Sequence, residues 1–146
     1  MDGVVNFSRV DAAVACGGDT QHDVFPTLAA QGFTTVVNLR LADEPGVAEE
    51  AAAVADAGLR YVHLPMNPAA PLPETAEAFL DVLADPANQP VYIHCASANR
   101  VGAVWAIKRV VQDGWSREDA LAEARHIGLK SPVMLEFVAR VLDARG

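Results

Sequence analysis

Short β-branched apolar runs alternate with longer amphipathic stretches along this chain, and that alternation narrows its fold more than any other feature. Residues 12–16 form a candidate strand ended by Gly17-Gly18. Residues 33–39 (FTTVVNL) are short, apolar and β-branched; residues 59–64 (LRYVHL) alternate; residues 90–94 (PVYIH) run directly into CASANR. Between these runs lie helical patterns. Thr20 is placed to cap a helix over 21–31, with Gly32 past its end, and residues 47–57 form a helix closed by Gly58. Residues 74–85 bring Ala76, Phe79, Leu80 and Leu83 onto one face, and 101–113 form a helix stopped by Gly114. Ser116 with Asp119, and Ser131 with Pro132, then start two further helices to about 127 and 143. Residues 65–73 carry prolines at 65, 68, 71 and 73 and read as a stiff loop. The order β α β α β α β α α α predicts an α/β fold: a mostly parallel sheet of four to five strands flanked by helices. One domain is expected over 1–146, with its ligand at the carboxyl ends of the strands.

Composition excludes several functions. Eleven Lys+Arg against nineteen Asp+Glu give a net charge of −8, which disfavours nucleic-acid and anionic-membrane partners. Two cysteines, Cys16 and Cys95, are too few for a disulfide scaffold or a cysteine-rich zinc site. With no apolar run of membrane-spanning length and no signal-peptide pattern, a reducing, cytoplasmic setting is expected.

Chemistry concentrates in VYIHCASANRVGA. A buried strand delivers Cys95 into a loop of small residues, and a helix follows at once. The amides of Ala96, Ser97, Ala98, Asn99 and Arg100 then form a nest at a helix N-terminus, which attracts anions. Arg100 adds a guanidinium fork suited to tetrahedral oxyanions. The same features stabilise a thiolate, making Cys95 the candidate nucleophile and Cys16 ordinary packing. His94 reads as an orienting group behind the loop, Trp105 as packing, and Arg40 and His63 as groups at the same strand ends.

The His94-Cys95 pair, the small residues and Arg100 ahead of a helix resemble the signature loop of the protein tyrosine phosphatase superfamily. From about Asn6 to Leu142, with NFSRVDAAVACGGDTQHDVFPTLAAQGFTTVVNLR and GLRYVHLPMN upstream, the chain is similar to the bacterial dual-specificity-phosphatase-like group. That group includes the phosphatase-like domain of β-lactamase hydrolase-like proteins. The resemblance implies a Cys95 nucleophile, phosphate held by Arg100 and the loop amides, and neither metal nor cofactor. Three positions depart from the usual pattern. Four residues, not five, separate Cys95 from Arg100, a spacing that also resembles rhodanese-type sulfurtransferases and is shared by the bacterial group. Val101 stands where Ser or Thr is usual. Met66-Asn67-Pro68 occupies the place of the general-acid Asp, leaving His63 and Glu74 as stand-ins, although a Glu at a helix start commonly serves the helix dipole. Three functions follow in order: a phosphomonoester phosphatase with a thiophosphoryl intermediate on Cys95, a sulfurtransferase loaded by a sulfane-sulfur donor, and a weakly catalytic module that binds phosphorylated or other anionic ligands.

Overall fold

Residues 1–145 are described by a computed structural model, in which five strands form one sheet of order β1-β2-β5-β3-β4. The strands are β1 (Ser8–Asp11), β2 (Val14–Gly17), β3 (Thr35–Asn38), β4 (Arg60–His63) and β5 (Val91–His94). All neighbours run parallel except β1, which pairs antiparallel with β2. The sequence pattern predicts no strand at 8–11. Its formation depends on pairing: Asp11 Oδ1 accepts the Ala13 amide at 2.8 Å to turn the hairpin, and Arg9 lies over the Phe33 ring at 5.1 Å. An edge strand of this kind is specified by its neighbour more than by its own pattern.

Helices cover both faces. On one side lie α1 (Val24–Ala30) and α2 (Val47–Asp56). On the other lie α3 (Pro73–Ala84), α4 (Asn99–Val111), α5 (Arg117–Ile127) and α6 (Pro132–Ala144). The two-residue period of the strands divides the core accordingly: Ala15, Val36 and Tyr92 pack with the α1–α2 layer, and Cys16, Val37, Ile93 and Cys95 with the α3–α6 layer. Central helix α4 is buried continuously from Arg100 to Ile107. It passes α5 so closely that a Cβ on Gly102 would stand 2.8 Å from Leu129 Cβ and 3.0 Å from the Ala124 carbonyl.

Two local expectations are corrected. Thr20 does not cap the first helix, which starts at Val24 after Asp23; its hydroxyl meets Tyr92 Oη at 2.6 Å and Gly18 O at 2.9 Å. A buried tyrosine hydroxyl needs a partner, and that demand outweighs a cap. Helix α4 begins at Asn99, two residues earlier than 101, so the candidate loop is shorter than its sequence suggests. By contrast, Ser116 and Ser131 accept the Asp119 and Met134 amides at 3.1 and 3.4 Å, as their cap positions predict. No helix among the described residues is long and apolar enough to cross a membrane.

Candidate active site

The three central parallel strands end in register, with Gly17 and Asn38 flanking His94. One residue on, the Cys95 amide donates to Gly17 O at 3.2 Å, so the cysteine is still fixed by the sheet as the chain leaves it. Beyond it the backbone carbonyls are drawn outward. Ala96 O accepts the Asp19 amide at 2.6 Å, and Ser97 O accepts Asn6 Nδ2 at 3.0 Å. Gly18 makes the first contact possible, because a Cβ there would run into the Ala96 carbonyl. Ala98 takes the left-handed conformation at φ 74°, and Gly102 N donates back to Ala98 O at 2.9 Å. The only other non-glycine residue with positive φ among those described is Asn6, at 52°. Both strained residues therefore serve this loop. Among the described residues, the amides of 96–100 donate to no protein acceptor. They form a nest of N–H groups at the start of α4, with buried Cys95 at its base.

Arg100 is 4% exposed and its guanidinium is shared. Nη1 and Nη2 donate to the Glu44 carboxylate at 2.8 and 2.9 Å, and Nη1 also donates to Met66 O at 3.0 Å and Leu39 O at 3.4 Å. Glu44 thus takes the end-on edge of the fork. The side-on edge, Nε and the second Nη2 proton, donates to no oxygen or nitrogen among the described residues. These hydrogen bonds, foremost those from Arg100, hold the Glu44 carboxyl well below the usual range, at about 2. Glu44 also accepts from Arg40 Nε at 3.4 Å and from the Leu41 amide, and Arg40 Nη1 reaches Asp19 at 3.3 Å. Two arginines and two carboxylates therefore brace the mouth in a chain.

Behind the loop, His94 is fully buried, with its Nε2 2.6 Å from Glu50 Oε2 on α2. Its Nδ1 has no partner among the described residues, and its ring stacks on Tyr92 at 5.6 Å. The other thiol, Cys16, lies on β2 beside Ile93, and burial together with nearby Cys95 pushes it far up from its ordinary range.

The remaining residues singled out by sequence fall into supporting positions. His63 Nε2 meets Arg40 O at 2.6 Å, steadying the loop that carries Glu44. Asn67 is exposed and accepts the Ala69 amide at 2.9 Å, one residue from the Met66 carbonyl that holds Arg100. Glu74 sits in the first turn of α3, lining a surface depression with Leu64 and Pro65, a position that suits the helix dipole. Asn99 commits its side chain to architecture, Oδ1 accepting the Lys130 and Ser131 amides at 2.6 and 2.8 Å. Trp105 packs behind the loop and donates Nε1 to Glu123 at 2.6 Å. Sequence reasoning missed Glu44, Glu50 and Asn6. Glu50 had a signal: with Val47 and Val54 it occupies the buried stripe of α2, where an unpaired carboxylate is costly.

A cysteine held at the carboxyl edge of a parallel sheet, under amides that open a helix, defines a protein of the tyrosine-phosphatase-like, cysteine-phosphatase fold. More narrowly, the chain belongs to the family "Beta-lactamase hydrolase-like protein, phosphatase-like domain", whose model matches residues 6–112. The β-lactamase hydrolase-like protein of Agrobacterium fabrum (strain C58) is 27% identical over 115 residues, 76% of this chain and 26% of that protein. The one from Xylella fastidiosa (strain Temecula1) is 28% identical over 121 residues, covering 80% of this chain and 28% of its own. The chain therefore spans about a quarter of the length of these curated relatives. Among solved structures, a DUF442 protein from Shewanella putrefaciens CN-32 superposes with a TM-score of 0.83 at 20% identity, covering 99% of this chain and 95% of that one. P. aeruginosa TpbA in complex with pTyr superposes at 0.76 and 22% identity, covering 94% and 85%.

Proposed function

We propose that the chain is a cysteine-dependent phosphatase acting on phosphomonoesters through a thiophosphoryl intermediate on Cys95. The observation that carries this reading is the matched pair of donor sets: free amides of 96–100 on one side and the side-on edge of Arg100 on the other. Together they fit the three equatorial oxygens of a phosphoryl group in flight. In the first step the Cys95 sulfur bonds to phosphorus as the bond to the ester oxygen breaks, and the leaving group departs with that electron pair. In the second, water attacks phosphorus, the S–P bond breaks, and inorganic phosphate leaves a regenerated thiolate. The phosphotyrosine complex of TpbA supports the choice of a phosphoryl ligand for this fold.

The nearest carboxylate to the Arg100 fork is Glu44, which is held ionised and so is unsuited to protonate a leaving group. General-acid assistance is worth roughly 10²–10⁴ in rate. The enzyme accordingly favours acidic leaving groups, and p-nitrophenyl phosphate is hydrolysed much faster than phenyl phosphate. The four-residue loop and buried Val101 after Arg100 favour sulfur transfer as the second reading, in which Cys95 carries a persulfide. Parallel assays with p-nitrophenyl phosphate and with thiosulfate plus cyanide, each against Cys95→Ser, separate them. Phosphate release abolished by the substitution is the expected result. Thiocyanate formation without phosphate release overturns the phosphatase reading. Phosphate binding without either product leaves an anion-binding module.

A further inference from the structure

Away from the ion-paired arginines of the cradle, two cations of this −8 chain, Arg125 and Lys130, lie together beside the loop. A groove of about 240 Å³ runs between the segment leading into β1 and the turn joining α5 to α6. Asn6, Ser8, Arg125, His126, Gly128 and Lys130 line it, and no carboxylate does. Arg125, His126 and Lys130 are exposed, and among the described residues Arg125 and Lys130 form no ion pair, although acids outnumber bases nineteen to eleven. Ser8, one of the lining residues, has its Oγ buried with no hydrogen-bond partner among the described residues. Arg125 and His126 also lie in the last turn of α5 and suit its dipole. That does not explain Lys130, beyond the helix end, or the orphaned Ser8 hydroxyl.

The groove and the cradle share a wall. Asn6 Nδ2 holds Ser97 O, and Gly128 lies so near the loop that a Cβ would stand 2.8 Å from Ala98 Cβ and 3.2 Å from Ser97 O. Asn99 Oδ1 pins the Lys130 and Ser131 amides to the start of α4. The inner side of residues 97–99 thus faces the cradle and the outer side the groove, with exposed Ser97 as the rim between them.

We propose that this groove is a second-anion subsite: it takes a further phosphate group of a substrate whose reacting phosphate sits in the cradle. The inference rests on the phosphatase reading and narrows it to small molecules carrying more than one phosphate. Guanidinium and ammonium donors lining one groove without a carboxylate are the chemistry that recognises such a group. The arrangement also resolves how a strongly acidic protein attracts a polyanion, by concentrating free cations beside the catalytic loop.

The test compares inorganic phosphate with tripolyphosphate as competitors of p-nitrophenyl phosphate hydrolysis, in the full chain and in Arg125→Ala/Lys130→Ala. Both replaced side chains are exposed, and neither belongs to the cradle. Tripolyphosphate is expected to bind roughly ten-fold or more tightly than phosphate to the native chain, and the double variant to lose that advantage. Its inhibition by phosphate and its kcat and KM for p-nitrophenyl phosphate stay within about two-fold. A charge-matched control, Arg117→Ala/Arg140→Ala, removes two exposed cations that do not line the groove and keeps the preference. The proposal is overturned if the double variant retains the preference, if the control loses it equally, or if both anions weaken together. Calorimetry of the same two anions on Cys95→Ser measures the ratio without turnover. Absent phosphate release with the ratio intact then refutes the phosphatase reading alone, and a ratio near one refutes the subsite alone.

Discussion

Glu44→Gln tests how the site is held together. Glu44 receives both terminal nitrogens of Arg100, and its carboxyl is drawn from 4.5 to about 2, chiefly by those hydrogen bonds and against the opposing effect of burial. At about 1.4 kcal/mol per pH unit, that difference corresponds to about 3 kcal/mol. The side chain is 21% exposed. Solvent screening therefore lowers the expected contribution to about 2 kcal/mol. The sign follows from the depressed value. The folded state favours the ionised carboxylate, so its contribution is fully present above the unfolded value of 4.5 and is lost as pH falls toward about 2. Urea unfolding of native chain and variant is expected to differ by about 2 kcal/mol near neutrality, with the gap closing progressively below about pH 4.5. The variant also loosens Arg100, and kcat/KM for p-nitrophenyl phosphate falls by roughly ten- to a hundred-fold, as misplacing a catalytic group does. A stability gap that is constant from about pH 7 to about pH 2.5, or absent at neutrality, refutes the assignment of Glu44 as the ionised clamp of Arg100.

Other parts of the fold make independent claims. Glu50→Ala strips the partner from fully buried His94 and costs about 3 kcal/mol in urea unfolding, while Glu49→Ala, on the exposed side of the same helix, changes stability by less than about 0.5 kcal/mol. Gly102→Ala forces a methyl against Leu129 and the Ala124 carbonyl, and calorimetry should record a Tm lowered by roughly 5 °C, an overpacking cost of about 1–3 kcal/mol. Cys16 is buried with its thiol pushed up, so a thiol reagent near neutral pH labels it only after denaturation; Cys16→Ala leaves phosphate release within about two-fold.

The central strands were largely legible because they are short, continuously apolar runs, and the helices because their burial is periodic. The run 90–94 enters the core on both faces, and 76, 79, 80 and 83 form the buried stripe of α3. The cradle was legible because it is local: Cys95 and Arg100 are joined by a stretch whose small residues, helix start and strand end are contiguous. What was not legible depends on partners distant in sequence. Glu44 looks like any acid in a loop until Arg100 arrives from 56 residues away, and Glu50 meets His94 across 44. Thr20 reads as a cap because nothing nearby announces Tyr92, 72 residues on. Strand β1 exists through its pairing with β2, and Asn6 acquires its role only when the fold brings Ser97 against it, 91 residues later. The groove behind the loop has the same origin, since its two walls come from opposite ends of the chain.

The central claim is that Cys95 becomes covalently phosphorylated. Rapid acid quenching of the native chain during turnover of p-nitrophenyl phosphate, followed by intact-mass and peptide-mass measurement, reads it directly. The expected result is one phosphoryl group added to the peptide carrying Cys95, absent from Cys95→Ser and from native chain quenched before substrate is added. A single added sulfur after exposure to thiosulfate, with no phosphoryl adduct under any phosphate ester, contradicts it.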